Sequence, residues 1–284
     1  MKRRISPFLY AGLCLPALLT WGVLWCMLSG ALTGREEIAA ALAPALTPGA
    51  GEGYAHWPLW PQAPTLQPLM ELLLDTPQFF VMFWNTCRLV FPQILGQIVV
   101  GAPAAWAFSR LRFPLRRTLF GLYIILMLLP FQVTMVPNYL VLDGLGLMDT
   151  VWAIILPGIF STFPVFIMAK SFDAVPRSLL EAASLDGANY WKTFWRVGLP
   201  LGVPGILSAA VLGFLEAWNA IEQPMTFLKS QSLWPLSLYL PQIAQSALSL
   251  AMASSLLMLA PAVLIFLFGQ KYLELGIQAS GLKE

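Results

Sequence analysis

Six apolar stretches, each about as long as a bilayer crossing, dominate the chain: residues 8–32, 79–109, 118–140, 151–169, 201–221 and 248–268. An α-helix rises 1.5 Å per residue, so roughly 20 apolar residues cross a hydrocarbon core about 30 Å thick. Within lipid a helix satisfies all its backbone hydrogen bonds inside one segment, which makes it the natural reading of such runs. The pattern therefore predicts an all-α polytopic membrane protein with six transmembrane helices. Composition agrees. Hydrophobic residues make up 58% of the chain and charged residues 11%, where soluble domains carry about 25%. Mean hydropathy is +0.73.

Prolines fall inside several of these runs (Pro103, Pro130, Pro137, Pro157, Pro164, Pro204, Pro261). Packed membrane helices tolerate such breaks where neighbours re-satisfy the backbone. The first run exceeds the 7–15 residues of a signal-peptide core, and no strong small-x-small cleavage site follows it. It is expected to be an uncleaved first span. With the N-terminus inside, thirteen of the sixteen Lys and Arg residues fall on the inner side, including Lys2, Arg3, Arg4, Arg110, Arg112, Arg116, Arg117 and Lys283. The positive-inside rule thus predicts N-in and C-in. Residues 33–78 become an extended external loop, 222–247 a second external segment, and 171–200 a cytoplasmic loop. The whole of 1–284 reads as one transmembrane domain.

That cytoplasmic loop, SFDAVPRSLLEAASLDGANYWKTFWRVGLP, carries six charges in a chain that has few. Pro176 suits a first helical position, RSLLEAASLD is a run of helix formers, and Gly187 is placed as a stop. Asn189 can cap a second short helix, YWKTFWRV, ending at Gly198 before Pro200. Trp191, Phe194 and Trp195 fall on one side of it and Lys192 and Arg196 on another, as suits a helix at the headgroup boundary. Ala182 and Ala183 beside Glu181 offer a low-relief surface on the first helix. The residues alone fit equally a connecting loop resting on the membrane and a docking element.

The spacing Glu181-Ala182-Ala183, three residues, Gly187, nine residues, Val197, one residue, Leu199-Pro200 resembles the EAA loop of ABC importer permeases, with Val197 in place of Ile. FFVMFWNT, AAWAFSRLRFPLRR, MLLPFQVTMVPNYLVLDGLGLMDT and EAWNAIEQPM resemble further segments of the maltose-type carbohydrate-uptake permeases; the first 60 residues show no clear match. The resemblance implies a permease subunit that works with a second permease, two ATPase subunits and an extracytoplasmic binding protein delivering a sugar, in a bacterial or archaeal cytoplasmic membrane. It implies a helix-turn-helix coupling loop in which Glu181, Ala182, Ala183, Asp186, Gly187, Leu199 and Pro200 dock the ATPase: Glu181 by polar contact, the alanines by close approach, Gly187 as the turn, and Leu199 and Pro200 as the lead into the fifth span. Oligosaccharides, disaccharides and phosphorylated glycerols all stay open as cargo.

The chain contains no G-x4-G-K-[ST] phosphate loop, so ATP and Mg are expected on the partner subunits, with no cofactor and no metal on this chain. Net charge is only +2, which gives no sign of nucleic-acid binding. Cys14, Cys26 and Cys87 lie in apolar runs and read as buried inert thiols. His56, in a Trp/Pro-rich loop, receives no role. Polar groups inside spans are costly in lipid and mark a candidate solute path: Asn138 and Tyr139 in the third span, and Glu216, Trp218 and Asn219 in the fifth. Anchoring at the interface or capping is the plainer reading of the same residues. Arg88 is expected to snorkel outward. An ion-coupled transporter would need carboxylates or histidines relayed across the bilayer, and an intramembrane enzyme a catalytic set there. The mid-span regions offer no His and no Asp, and neither rival explains the polar loop.

Overall fold

The computed structural model describes residues 7–46, 54–57, 59–239 and 247–281. Lys2, Arg3, Arg4 and Lys283, which entered the expectations above, lie outside the described residues. All regular structure among the described residues is helical. The chain divides into two compact units, Met1–Phe80 with Tyr239–Ala260, and Val81–Leu238 with Pro261–Glu284.

The first unit contains α1 (Pro7–Ala31), α2 (Arg35–Leu46) and α3 (Gln67–Met70), the last continued by a π-helical turn to Asp75. Within the expected extended loop 33–78, the described residues 35–46 and 67–75 are therefore helical. Glu36 and Glu37 in the first turn of α2 favour its start through the helix dipole. Arg35 pairs with Glu71 at 2.7 Å, and Trp25 stacks on Trp60 while its indole N–H donates to the Leu59 carbonyl at 2.8 Å. The cysteine expectation is corrected here. Cys14 is exposed and Cys26 half-buried on α1, and Cys87 is half-buried further along the chain. Leu13, Leu15, Leu18, Leu19, Trp21 and Val23 are exposed around Cys14, so its thiol meets the surroundings of the helix rather than a core.

The second unit is organised around α4 (Pro77–Arg110), which stays unbroken over 34 residues despite Pro92 and Pro103. Its length of about 51 Å exceeds a hydrocarbon core of about 30 Å. The expected third span is not one rod. It consists of α5 (Arg116–Leu128) and α6 (Phe131–Gly144), bent by 105°. The cause is local. Pro130 drives Leu129 into extended backbone (φ −71°, ψ 126°) and then stands as the N-cap of α6. The fourth stretch forms α7 (Trp152–Ile159) and α8 (Thr162–Asp173), which read together as a 22-residue apolar crossing. Next come α9 (Arg177–Leu185), α10 (Tyr190–Thr193), α11 (Leu199–Trp218), α12 (Glu222–Phe227) and α13 (Leu248–Gly281), of which the part from Pro261 on belongs to this unit. The last is helical well past residue 268, where the apolar stretch ends. Among the described residues five helices are long and apolar enough to cross a membrane, or six if the bent pair forms one crossing.

Glycines set how closely α11 packs. A Cβ on Gly198 would stand 2.5 Å from the Trp106 ring, on Gly202 2.2 Å from Phe172, and on Gly205 2.1 Å from Ser171. The spacing of four and three residues puts all of them on one face of α11, so α4 and α8 approach its backbone directly, as small residues allow between membrane helices.

Candidate functional site

Two features of the second unit bear on function: an exposed helical excursion between α8 and α11, and a polar cavity among the helices. The excursion begins where α8 ends. The Arg110 guanidinium, at the end of α4, donates to the carbonyls of Phe172 and Val175, and the Ser109 hydroxyl donates to Asp173 at 2.7 Å. These bonds add a charged donor at the C-terminus of α8, where the Phe172 carbonyl also accepts the Val175 N–H at 3.1 Å, and fix the point from which α9 departs. Pro176, expected at the first helical position, instead occupies the N-cap with extended backbone (φ −60°, ψ 133°).

Helix α9 has no buried residue. Glu181, Ala182, Asp186 and Gly187 are exposed and Ala183 is half-buried. Its stop is a Schellman turn. Gly187 lies at φ +74°, its N–H bonds the Ser184 carbonyl at 3.1 Å, and the Ala188 N–H reaches back to Ala183 at 3.0 Å. Asn189 then caps α10, accepting the Lys192 N–H at 2.8 Å.

Beyond the cap the structure departs from the sequence expectation. The second short helix does not end at Gly198. It continues through a π-helical turn (Phe194–Gly198) into α11, giving one run from Tyr190 to Trp218. Pro200 sits at the start of α11, where its missing N–H and ring are tolerated next to the widened turn. Gly198 is there for close approach to Trp106 rather than as a stop. Leu199 is half-buried and Pro200 exposed. The aromatic face also differs. Successive helical residues are rotated by about 100°, so Phe194 and Trp195 need not share a side. Trp191 and Trp195 are exposed, whereas Phe194 is 2% exposed and packs on Trp106 and Phe172 with centroids 5.8 and 6.3 Å away. Phe172 precedes α9 and Phe194 follows it, so both ends of the exposed helix are tied to the same aromatic core.

The second feature is a cavity of about 750 Å³ lined by α4, α5, α6, α7, α8, α11 and α12. Of the five residues proposed for a solute path, Asn138, Glu216 and Asn219 line it. Tyr139 and Trp218 do not. Tyr139 packs against the cluster around Leu142 and Phe227, and Trp218, 2% exposed, stacks on Phe214 at 5.2 Å. Sequence reasoning missed Gln93 and Gln97, which line the cavity from one face of α4. The signal was present: two amides four residues apart in an otherwise apolar run. The Gln97 amide nitrogen donates to the Gly158 carbonyl at 2.9 Å, which also identifies that end as the NH2 group. Gln93 covers Gly158, where a Cβ would stand 2.2 Å from its side chain. Arg110 was also missed, having been counted only among the inner charges.

A bundle of apolar helices around a cavity with polar groups on its wall, with a largely exposed helix anchored to that bundle through Leu180, is an arrangement suited to a membrane permease. Residues 87–278 match the family of binding-protein-dependent transport system inner membrane components, and the chain belongs to that family. It is 25% identical over 226 residues to the arabinooligosaccharides transport system permease protein AraQ of Halalkalibacterium halodurans, covering 78% of this chain and 81% of that protein. It is 29% identical over 208 residues to the sn-glycerol-3-phosphate transport system permease protein UgpE of Yersinia enterocolitica, covering 72% and 74%. Its fold is similar to a chain in the crystal structure of a bacterial ABC transporter involved in import of the acidic polysaccharide alginate, with TM-score 0.77 and 21% identity over 93% of this chain and 94% of that one.

Proposed function

We propose that this chain is the permease subunit of an ATP-driven carbohydrate importer. It forms the translocation path with a second permease, takes its solute from an external binding protein, and is moved by two ATPase subunits that alone bind ATP and Mg. In this reading residues 1–284 act as one permease domain of six spans in the cytoplasmic membrane, with α5 and α6 forming the third, and both termini inside. Thirteen of sixteen cations on one side support that orientation. The ATPase docks on α9 through Glu181, Ala182, Ala183, Asp186 and the turn at Gly187, while Leu199 and Pro200 pass the movement into α11.

The observation that carries the proposal is the placement of α9. It is largely exposed, yet its Leu180 packs against the α4–α8–α11 core, and Phe172 before it and Phe194 after it lie in that same core. A push on α9 therefore moves packed helices rather than a loose loop. The carbohydrate reading rests on the AraQ and alginate-importer likenesses, and the UgpE likeness supports glycerol phosphate as the second reading. Purifying the tagged chain gently from its own membranes tests the proposal. A second permease and an ATPase in comparable amounts are expected. A chain that purifies alone and catalyses ion-driven uptake in liposomes would overturn it.

A further inference from the structure

The turn between α4 and α5 combines exposed arginines with a leucine in backbone geometry that leucine disfavours. Residues 110–117 hold Arg110, Arg112, Arg116 and Arg117, and no acid occurs between Asp75 and Asp143. Two of the four arginines are committed inside the chain. Arg110 donates to the Phe172 and Val175 carbonyls, and the Arg116 guanidinium closes the turn on the Leu111 carbonyl at 3.0 Å. Arg112 and Arg117 are exposed and have no partner among the described residues.

Leu115 lies between them at φ +61°, ψ 8°, in the left-handed region, where a residue with a Cβ is disfavoured about tenfold relative to glycine. No packing within the chain offsets this, since the side chain is 70% exposed. A glycine makes the same turn without that cost, which points to contacts for the leucine outside the chain. Leu115 also leads a stripe. The Leu119 N–H bonds its carbonyl at 2.9 Å, and Leu119, Leu122 and Leu126, spaced for one helix face, are all exposed. No residue of α5 is buried. An exposed apolar stripe on a membrane helix suits lipid hydrocarbon, and Leu115 carries it out to the arginines.

The level is that of the headgroups. Phe194 packs on Trp106, one helical turn before Arg110, and Trp191 and Trp195, which flank Phe194 in the chain, are exposed together with Lys192 and Arg196. Tryptophans beside cations mark the boundary between hydrocarbon and water. We propose that the α4–α5 turn is a docking site for anionic phospholipid of the inner leaflet: Arg112 and Arg117 bind headgroup phosphates, and Leu115 dips among the acyl chains between them. Guanidinium groups match phosphate oxygens with paired N–H donors. The choice of leaflet rests on the orientation proposed above; the binding itself does not depend on carbohydrate import.

The test uses the chain with the subunits that copurify, in nanodiscs of phosphatidylcholine with or without phosphatidylglycerol. In a complex freed of other cysteines, Leu115→Cys carries an NBD fluorophore. A doxyl group high on the lipid chain is expected to quench it, and aqueous iodide is not. Native mass spectrometry counts the phosphatidylglycerol retained through detergent washing. Arg112→Gln combined with Arg117→Gln should lower that retention about tenfold or more, each arginine near a membrane surface contributing about fivefold. Leu115→Gly relieves the backbone, so complex recovery and Tm should equal or exceed wild type, while retention falls about threefold or more. A label quenched by iodide, or shielded from both quenchers by protein, overturns the proposal, and so does retention unchanged by either variant. A Leu115→Gly complex that is recovered poorly or loses Tm overturns the leucine's role as a lipid contact, because the side chain then serves the fold. None of these readouts measures transport, so their failure is distinguishable from failure of the importer reading.

Discussion

The turn at Gly187 allows the coupling account to be tested with graded substitutions. Gly187 adopts φ +74°, and an added Cβ would meet nothing within 4 Å. The cost of any side chain there is therefore backbone strain alone, about 1–2 kcal/mol for an ordinary L-residue and less for Asn, which tolerates the left-handed region. Since 1.4 kcal/mol is tenfold in an equilibrium, Gly187→Ala should reduce the population of the Schellman turn by about tenfold relative to competing loop conformations. Gly187→Asn should leave it nearly intact. Gly187→Arg adds a long cation to the exposed docking face on top of the strain. Because Gly187 is exposed and a side chain there meets nothing within 4 Å, all three variants should insert and assemble their spans normally. Reconstituted complexes should rank wild type and Asn first, then Ala, then Arg, in sugar taken up per ATP hydrolysed. Wild-type uptake by Gly187→Arg would refute docking at this turn. An Asn variant as impaired as Ala would refute the backbone argument.

Phe194→Ala removes the aromatic link that follows α9, and by the cost of emptying a buried aromatic site it should destabilise the subunit by about 3 kcal/mol, read as a lowered Tm in detergent, and weaken coupling. Gly202→Val forces a side chain into the Phe172 ring and should cost about 1–3 kcal/mol by overpacking, visible in the same thermal scan. Arg110→Met leaves the Phe172 and Val175 carbonyls without their charged donor and should destabilise by about 2 kcal/mol, seen as faster proteolysis at 174–176. Hydrogen bonds from the Ser230 side chain and backbone, then the Lys229 N–H, hold the Asp149 carboxyl below the usual carboxylate range. Its contribution is therefore complete above the ordinary value near 4 and lost as pH falls through the lowered one. Amide exchange at Lys229 and Ser230, corrected for intrinsic pH dependence, should stay flat from pH 7 to 5 and rise only in stronger acid.

The apolar stretches were legible because hydropathy over 20 residues is a strong signal, and observed helix ends differ from those expected by a residue or two at α1 and α4. The bend at Pro130 was not legible. Pro92, Pro103, Pro137, Pro157 and Pro261 all sit inside intact helices, and only tertiary packing separates those cases. The Gly187 stop and the Asn189 cap were readable because each rests on local backbone chemistry. Gly198 was misread for the same reason: a Gly-x-Pro looks like a local stop, but here the glycine makes room for Trp106, a residue 92 positions earlier in the chain, while Pro200 does stand at the start of α11. In the cavity, Asn138, Glu216 and Asn219 stood out as conspicuous polar groups near span ends. Gln93 and Gln97 sit in mid-run, and their role emerges only once Gly158 and Gly213 are seen packed against them.

The central claim is that α9 transmits the ATPase movement, and a photocrosslink tests it most directly. A photoreactive residue in place of exposed Ala182, activated in native membranes, would be followed by mass spectrometry of the adducts. The account predicts a single major protein adduct, to a subunit carrying the G-x4-G-K-[ST] phosphate loop, whose yield changes when ATP is trapped. Adducts to lipid alone, or to a protein without that loop, would contradict it.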